Sequence, residues 1–369
     1  MRVLVTGANG FIGKNLVVHL RERNIESQLF TRDGALNDLS AVLSGVDFVF
    51  HLAGINRPKD VAEFAEGNTG LTEQLCDVIR SSGRKIPVLY TSSIQAEADN
   101  PYGMSKLAAE NMLVELERDT GSPVYLYRLP NVFGKWSRPN YNSAVATFCH
   151  NIANDLPVQI NDPSALIRLV YVDDVVQHFL SVLEERPNGV LRPEISPEYT
   201  ITVGDLASQI RQFKAGNESI STEAVGTGLT RALYSTYLSF LKPEQFAYPL
   251  PVHADPRGRF VEMLKTRDSG QFSYFTAHPG ITRGGHYHHS KNEKFLVIQG
   301  RARFRFRQIV TGETFEVVTD GEHPEVVQTV PGWSHDITNV GDNELIVMLW
   351  ANEIFDRQHP DTISFHVSH

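Results

Sequence analysis

The first 180 residues alternate between short apolar runs rich in β-branched residues and longer segments with helical periodicity. The short runs have the length and bounding turn residues of strands, and the longer segments repeat apolar residues every three or four positions. This rhythm predicts βαβ units and an α/β, Rossmann-like, doubly wound parallel sheet. Strands are predicted at 3–5, 27–30, 48–51, 88–91 and 124–128, and helices at 14–23, 72–80 and 105–118.

The pattern changes in the last third of the chain. Before it, residues 180–240 are mixed, with a predicted helix at 204–214 and a polar stretch at 215–228. The prolines of residues 242–251 predict an extended connection, because proline cannot continue a helix and restricts the residue before it. Strand-like runs punctuated by Gly or Pro follow at 259–264, 272–276, 295–298, 302–306, 314–318, 326–330 and 345–349. They predict an all-β barrel or jelly roll, so the expected domains are residues 1–245 and 246–369.

Composition narrows the class of protein. The chain has 369 residues, of which 41% are hydrophobic and 21% charged, which suits two packed domains. A net charge of −9 without a basic run argues against nucleic acid as a partner. No apolar run approaches the roughly 20 residues that span a bilayer, and two Cys cannot build a disulfide framework. The amino terminus enters a predicted strand directly, so we expect a cytoplasmic protein that acts on small molecules.

A glycine-rich turn follows the first predicted strand and opens the first helix. In Thr6-Gly7-Ala8-Asn9-Gly10-Phe11-Ile12-Gly13, the three glycines are spaced as in a dinucleotide-binding turn. Gly7 permits the tight turn, Gly10 lets the backbone approach a pyrophosphate, and Gly13 allows close helix packing. The strand–turn–helix context favours this interpretation over an ordinary glycine turn. Asn9, Phe11 and Ile12 lie in the same turn and are candidate cofactor contacts.

The end of the second predicted strand indicates which nicotinamide cofactor binds. An acidic residue there grips the ribose 2′-hydroxyl of NAD, whereas an arginine accommodates the 2′-phosphate of NADP. Arg32 stands at about that position, which favours NADPH, although the following Asp33 leaves NADH open.

A tyrosine and a lysine four residues apart follow the fourth predicted strand. Tyr102 and Lys106 can share one helix face, and an ammonium beside the phenol is expected to lower the tyrosine pKa toward a range useful for proton transfer. Ser92 and Ser93 at the preceding strand end could hold a carbonyl oxygen. The competing interpretation is a surface tyrosine and a solvated lysine.

Five segments together resemble the extended short-chain dehydrogenase/reductases that act on nucleotide sugars. They are 6–13 (TGANGFIG), 51–54 (HLAG), 102–106 (YGMSK), 128–134 (RLPNVFG) and 168–175 (RLVYVDDV). The resemblance implies that Ser93 or Ser92 polarises a substrate carbonyl, that Tyr102 is the acid and that Lys106 also binds the nicotinamide ribose. It further implies cofactor contacts from Leu52, Ala53 and Gly54 and substrate contacts from Asn131 and Arg168. Ser93 is followed by Ile94-Gln95 rather than the Asp-Glu pair of the family's 4,6-dehydratases, which disfavours dehydration.

The β-rich third carries candidate metal ligands. His286 and His288 lie two residues apart, so both imidazoles are expected on one face of a strand, with Glu293 nearby and His335 arriving from a distant strand. Three imidazoles and one carboxylate suit a divalent transition metal, with Zn²⁺ the commonest candidate. His289 is expected on the opposite, solvated face. A metal-free barrel is the alternative.

The spacing Gly280-x5-His286-x-His288-x4-Glu293-x6-Gly300 resembles the first motif of the cupins, and Gly332-x2-His335-x3-Asn339 resembles their second. Residues 255–260 and 283–286 also resemble the sugar-nucleotide 3,5-epimerases, which are cupins that use His as a base without metal. That second resemblance makes Arg257 and Arg283 candidate diphosphate ligands. His286 is favoured as a ligand, and its use as a base stays open, as do Tyr287 and Lys291 as base candidates.

The whole arrangement resembles the CapF/WbjC group of bifunctional capsule and O-antigen sugar enzymes, most closely at 139–143, 233–238 and 288–295. The resemblance implies a homodimer acting on a UDP-linked 2-acetamido-2,6-dideoxy-4-keto hexose. The cupin would epimerise C3 and the reductase would reduce C4 with NADPH. The product would be a UDP-6-deoxy-talosamine-type sugar on the route to UDP-N-acetyl-L-fucosamine. The alternatives are a reductase or 4-epimerase with a structural cupin, and a nucleotide-sugar sensor, for which the Tyr102/Lys106 pair would be superfluous.

Overall fold

The computed structural model describes residues 1–31, 39–56, 60, 64–250, 253–255, 258–260, 263–266, 270–353, 355–356 and 358–367. The first nine strands are β1 (Arg2–Thr6), β2 (Glu26–Phe30), β3 (Phe48–His51), β4 (Val88–Ser93), β5 (Val124–Leu129), β6 (Asn131–Phe133), β7 (Leu166–Tyr171), β8 (Val190–Leu191) and β9 (Tyr199–Thr202). The α-helices are α1 (Phe11–Glu22), α2 (Leu39–Leu43), α3 (Leu71–Ser82), α4 (Pro101–Thr120), α5 (Ala144–Ala153), α6 (Val172–Glu185), α7 (Val203–Ser219) and α8 (Gly228–Leu238). The later strands are β10 (Ser221–Thr222), β11 (Ala247–Pro249), β12 (His253–Asp255), β13 (Gly258–Phe260), β14 (Lys265–Thr266), β15 (Gln271–Ala277), β16 (Thr282–Tyr287), β17 (Glu293–Gln299), β18 (Arg301–Gln308), β19 (Thr314–Asp320), β20 (Glu325–Gln328), β21 (Trp333–Asn339), β22 (Leu345–Ala351) and β23 (Ile363–Ser364).

The described chain divides into two compact units. One comprises residues 1–143 and 167–201, and the other comprises residues 144–166 and 202–369. The domain boundary expected at residue 245 remains a prediction from sequence.

The first unit is built on a six-stranded parallel sheet in the order β2-β1-β3-β4-β5-β8. Every residue of β3 and β4 is buried, as expected when helices cover both faces of a parallel sheet. The predicted doubly wound α/β sheet is confirmed, and all five predicted strands lie inside observed ones. Helix α1 begins at Phe11, three residues earlier than predicted, because Gly10 is already its extended N-cap residue.

Helices α5 and α8, in the second unit, were not predicted. Seven consecutive residues of α8, 232–238, are buried, so its sequence has no polar face to mark a helical period. Most of α5 is buried as well. The polar stretch at 215–228 holds the end of α7 and the short strand β10.

The second unit contains two five-stranded sheets, in the orders β11-β20-β17-β22-β15 and β19-β18-β21-β16-β23. Strand β18 shows why they form a barrel core: Ala302, Phe304 and Phe306 are buried while the arginines between them are not. The predicted all-β barrel is confirmed. The expected connection at 242–251 differs, because its residues Ala247–Pro249 pair antiparallel with β20 as an edge strand.

Among the residues that the structure describes, no helix combines the length and apolar character needed to cross a membrane.

Candidate functional site

A cavity of about 600 Å³ opens in the first unit where β1, β4 and β5 end. The carboxyl ends of parallel strands are the usual position for a ligand in such a sheet. The wall of the cavity includes the glycine turn, Ser93 and Tyr102, and the segment after β6. Predicted site residues lining the cavity are Gly7, Asn9, Gly10, Phe11, Ile12, Gly13, Leu52, Gly54, Ser92, Ser93, Tyr102, Lys106 and Asn131.

Two positions of the turn require glycine. Gly7 has a φ of +68°, and a Cβ atom there would lie 2.7 Å from the backbone nitrogen of Ala53. A Cβ atom on Gly13 would lie 2.3 Å from the carbonyl oxygen of Gly7. Helix α1 starts directly after this turn, and its N-cap Gly10 provides no side-chain cap, which fits a dinucleotide pyrophosphate at the helix N-terminus. The predicted cofactor-selecting residue Arg32 lies outside the described residues.

The segment after β3 forms the wall beside the glycine turn. His51 is buried between Thr6 and Thr72, with ring-nitrogen to hydroxyl-oxygen distances of 2.8 and 2.9 Å. Burial lowers the pKa of His51 to about 3, so the ring is neutral. The backbone N–H of Ala53 donates to the Thr6 hydroxyl at 3.1 Å. Neutral hydrogen bonds thus fix the predicted cofactor-contact segment 52–54.

Helix α4 carries the tyrosine and the lysine one turn apart. Its N-cap Asn100 accepts a 2.8 Å hydrogen bond from the backbone N–H of Gly103. Ser93 and Tyr102 both line the cavity, and the Ser93 hydroxyl lowers the pKa of the neighbouring phenol. Lys106 is buried and its Nζ donates to the carbonyl oxygen of Thr91 at 2.9 Å.

Burial governs the proton affinities of this pair. It raises the pKa of Tyr102, a shift only partly offset by the hydrogen bond with Ser93. It lowers the pKa of Lys106 to about 8, against a raising effect of the Glu110 charge. The predicted lowering of the Tyr102 pKa is therefore wrong for this structure. The reason is that desolvation of the phenol dominates and Lys106 is directed to Thr91.

The two candidate serines have different partners. Ser92 donates a 2.5 Å hydrogen bond to Oε1 of Glu110, which is fully buried. Arg128 binds the same carboxylate with Nε at 2.9 Å and Nη2 at 2.8 Å. Ser93 is thus the serine that interacts with Tyr102, while Ser92 is hydrogen-bonded to the Glu110–Arg128 ion pair.

Asn68 joins this site without having been predicted from sequence. Its Oδ1 accepts from the Ile55 backbone N–H at 2.7 Å, and its Nδ2 donates to the Ile55 carbonyl and to Ser105 Oγ, both at 3.0 Å. It therefore ties the segment after β3 to helix α4 beside Lys106. A single Asn between glycines offered no periodicity or spacing by which to find it.

Of the two predicted substrate residues, Asn131 and Arg168, only Asn131 lines the cavity. Asn131 lines the cavity, and its Nδ2 donates to the backbone carbonyl of Arg168 at 3.1 Å. The Arg168 side chain is instead half exposed and forms a bidentate pair with Glu198, at 2.5 and 2.8 Å. Arg168 is not among the residues that line the cavity.

The second unit brings His286, His288, Glu293 and His335 together as predicted. Their candidate ligand atoms all lie within 4.8 Å of one another. Glu293 Oε2 is 3.1 Å from Nε2 of His288 and 3.5 Å from Nε2 of His335. A divalent metal at about 2.1 Å from its ligands sets them roughly 3–4 Å apart, so little movement would accommodate one ion.

The charge states in this cluster suit a metal. Burial lowers the pKa of His286 to about 3 and also lowers that of His335. Burial opposes ionisation of Glu293, yet His288 holds its pKa well below the usual value. Neutral imidazoles and an ionised carboxylate are the forms that bind metal. Nδ1 of His335 has no hydrogen-bond partner within the described part of the chain.

Asp361 supports the histidine cluster from a distant part of the chain. Its backbone carbonyl is hydrogen-bonded to Nδ1 of His288, which leaves Nε2 directed at Glu293. Its carboxylate accepts backbone N–H bonds from His289 at 2.8 Å and from Ser290 and Lys291 at 2.7 Å. The expectation of a solvated His289 is wrong, because the residue is buried.

Of the other predicted residues of this unit, Lys291 lies beside the cluster, and the rest lie apart from it or outside the described residues. The Arg283 guanidinium donates to the Thr276 carbonyl at 2.9 Å and lies 5.1 Å from the Phe275 ring centre. Arg257 lies outside the described residues. Lys291 Nζ is 3.9 Å from Glu293 Oε1, whereas Tyr287 is buried with its ring against Phe365.

Comparison with known proteins agrees with this geometry. Residues 3–195 match the NAD dependent epimerase/dehydratase family, and residues 253–363 match the polysaccharide biosynthesis C-terminal domain. The chain belongs to the NAD dependent epimerase/dehydratase family.

Two relatives extend over the whole chain. A UDP-2-acetamido-2,6-beta-L-arabino-hexul-4-ose reductase of Pseudomonas aeruginosa is 62% identical over 363 residues, 98% of each protein. The crystal structure of the capsular polysaccharide assembling protein CapF of Staphylococcus aureus is 40% identical, with a TM-score of 0.67 and full coverage of both chains. The predicted resemblance to the CapF/WbjC group is therefore confirmed.

A third relative covers the first part alone. The protein MoeE5, solved with UDP-glucuronic acid and NAD, is 26% identical over 58% of this chain and 83% of its own, with a TM-score of 0.53.

Proposed function

We propose that this protein is an NADPH-dependent reductase of a UDP-linked 2-acetamido-2,6-dideoxy-4-keto hexose, with a cupin unit that epimerises C3 of the same sugar. The product is a UDP-6-deoxy-talosamine-type sugar on the route to UDP-N-acetyl-L-fucosamine. The convergence of the glycine turn, Ser93, Tyr102 and Lys106 on one cavity carries the reductase proposal. The full-length likeness to a UDP-4-keto-sugar reductase supports the substrate class.

The residues of the first unit have distinct tasks in the reduction. The Ser93 hydroxyl donates to the C4 carbonyl oxygen, and Tyr102 gives its proton to the oxyanion that develops there. Because burial raises the Tyr102 pKa, the phenol stays protonated at neutral pH. Lys106 is cationic below its pKa of about 8 and stabilises the phenolate that is left. NADPH, when bound, supplies the hydride.

The remaining residues of this cavity hold the two ligands in place. The turn 7–13 receives the NADPH pyrophosphate, and Leu52, Ala53 and Gly54 face its nicotinamide half. Arg32 selects NADPH by its 2′-phosphate. Asn131 contacts the sugar. Arg168 is the weaker substrate candidate, since its guanidinium is engaged by Glu198.

His286, His288, Glu293 and His335 are proposed to hold a divalent metal, most simply Zn²⁺, which supplies a Lewis acid for an oxyanion next to C3. The C3–H bond beside the ketone is acidic, so removal and return of this proton from opposite faces inverts C3. Arg257 and Arg283 are proposed diphosphate contacts in this unit. A homodimer, implied by the resemblance to the CapF/WbjC group, and a cytoplasmic location, expected from the sequence, complete the proposal.

Two variants test the division of labour. Tyr102→Phe is expected to abolish NADPH oxidation while solvent deuterium still enters C3 of the keto sugar. His288→Ala is expected to remove metal, measured by elemental analysis, and deuterium exchange at C3, with NADPH binding intact. The exposed residues Tyr274 and His323 give matched controls, Tyr274→Phe and His323→Ala.

Each proposed site has its own contradicting result. Loss of both activities in Tyr102→Phe would contradict separate sites. C3 exchange in metal-free His288→Ala would contradict metal assistance and favour a histidine base.

A further inference from the structure

The charges that line the cavity of the first unit all have one sign. Its charged residues are Lys14, Lys106 and Arg138, and neither Asp nor Glu contributes to the described wall. The chain as a whole carries a net charge of −9, so this cavity is an exception to its surroundings. A cavity lined by cations alone concentrates anionic ligands.

The three cations lie at different places in the cavity. Lys14 belongs to the first turns of α1, next to the glycine turn. Lys106 lies deep in the cavity and is bonded to the Thr91 carbonyl. Arg138 lies on the segment that follows β6, the side of the cavity that also carries Asn131. Lys14 is therefore positioned for the cofactor, and Arg138 is left for a second anion.

The Arg138 guanidinium is held in place by an aromatic ring rather than by an acid. It lies 5.0 Å from the ring centre of Tyr141, and the Tyr141 hydroxyl donates a 2.7 Å hydrogen bond to Oδ1 of Asn56, which also lines the cavity. Within the described parts of the chain, Arg138 makes no ion pair. A guanidinium stacked on a ring keeps its N–H donors available for bidentate binding of phosphate oxygens.

We propose that Arg138, stacked on Tyr141, is the residue of the first unit that binds the diphosphate of the nucleotide-sugar substrate in the cavity. The inference rests on the proposed function, because it takes a UDP-linked sugar as the ligand. Tyr141 and Asn56 are positioning residues, since they act through the orientation of Arg138.

Binding measurements on the whole protein test the assignment without turnover. Titration calorimetry of wild type with UDP and with uridine measures the contribution of the diphosphate. Arg138→Gln is expected to weaken UDP binding about tenfold to a hundredfold, the effect of losing charge-assisted hydrogen bonds, and to leave uridine and NADPH affinities within about twofold. Unchanged NADPH affinity also shows that the variant is folded.

A second charge-removing variant is the matched control. Lys14→Gln removes a cation from the same cavity and is expected to leave UDP affinity within about twofold. Equal losses of UDP affinity in Lys14→Gln and Arg138→Gln would overturn the assignment, because the general field of the cavity would then account for binding. A loss of NADPH affinity in Arg138→Gln with UDP affinity intact would also overturn it and place Arg138 at the cofactor.

The outcome separates this inference from the proposed function. If wild type discriminates strongly between UDP and uridine and Arg138→Gln does so equally, the inference alone fails. If wild type binds neither ligand, the proposed nucleotide-sugar substrate fails, and the inference with it.

Discussion

Replacing Lys106 by Met is expected to stabilise the protein while abolishing reduction. Lys106 is buried, and its pKa falls from 10.5 in an ordinary lysine to about 8. A shift of that size corresponds to about 3 kcal/mol of destabilisation when the amine is charged, as at pH 7. Met fills much of the same volume without a charge, but it leaves the Thr91 carbonyl without its donor, which costs about 1 kcal/mol. The variant should therefore be more stable by about 2 kcal/mol at pH 7.

The effect has a defined dependence on pH. The folded protein holds the Lys106 proton less tightly than the unfolded chain does. Folding therefore releases a proton between about pH 8 and pH 10.5, and stability rises with pH across that window. At pH 10 the remaining cost of burying the charge is about 1 kcal/mol. The advantage of Lys106→Met should then be close to zero.

Urea unfolding followed by circular dichroism at pH 7 and pH 10 measures both values. Lys85→Met, at an exposed lysine, is the matched control and should show no comparable change between the two pH values. The reasoning is refuted if Lys106→Met is less stable than wild type at pH 7, or if its difference from wild type is the same at both pH values. NADPH oxidation by Lys106→Met should be undetectable.

Three further outcomes are expected. Glu110→Gln should lower the free energy of unfolding, measured by calorimetry, by roughly 3–5 kcal/mol, because it leaves the Arg128 guanidinium without its buried partner. Glu97→Gln, on the exposed side of the same arginine, should cost at most about 1 kcal/mol. Equal effects would contradict the view that Glu110 is the main partner of Arg128. Gly13→Ala should weaken NADPH binding in a fluorescence titration, since its Cβ would lie 2.3 Å from a backbone oxygen, and unchanged affinity would show that the turn can widen. Asp361→Asn should lower metal affinity about tenfold to a hundredfold in a competition assay with a chelator, and wild-type affinity would mean that this support is dispensable.

The sequence predicted the parallel sheet, the cavity with its glycine turn and Tyr102/Lys106 pair, and the histidine cluster because the sequence signals for each are local. A strand, a glycine turn and a helix N-terminus follow one another within 13 residues, and His286 and His288 are two residues apart. Such spacing constrains geometry directly. Glu293 and His335 followed from the cupin spacing, and the structure brings them into the same cluster.

The parts that were missed depend on contacts between distant residues. Asn68 acquires its place from partners 13 and 37 residues away, and no local pattern marks it. The direction of the Tyr102 pKa shift depends on how deeply the phenol is buried, which spacing along a helix does not reveal. Helix α8 was missed because all of residues 232–238 are buried, so no polar face marks a helical period.

The contacts that orient the histidine cluster also determine when the cluster can form during synthesis of the chain. The bond between His288 and the Asp361 carbonyl joins positions 73 residues apart, and β23 pairs with His286 and Tyr287 from the same late segment. All four proposed metal ligands therefore leave the ribosome well before the residues that orient them. A nascent chain that has reached His335 has the complete set of ligands and lacks their supporting turn. We therefore expect tight metal capture to await release of the segment that contains Asp361 and β23 from the ribosome.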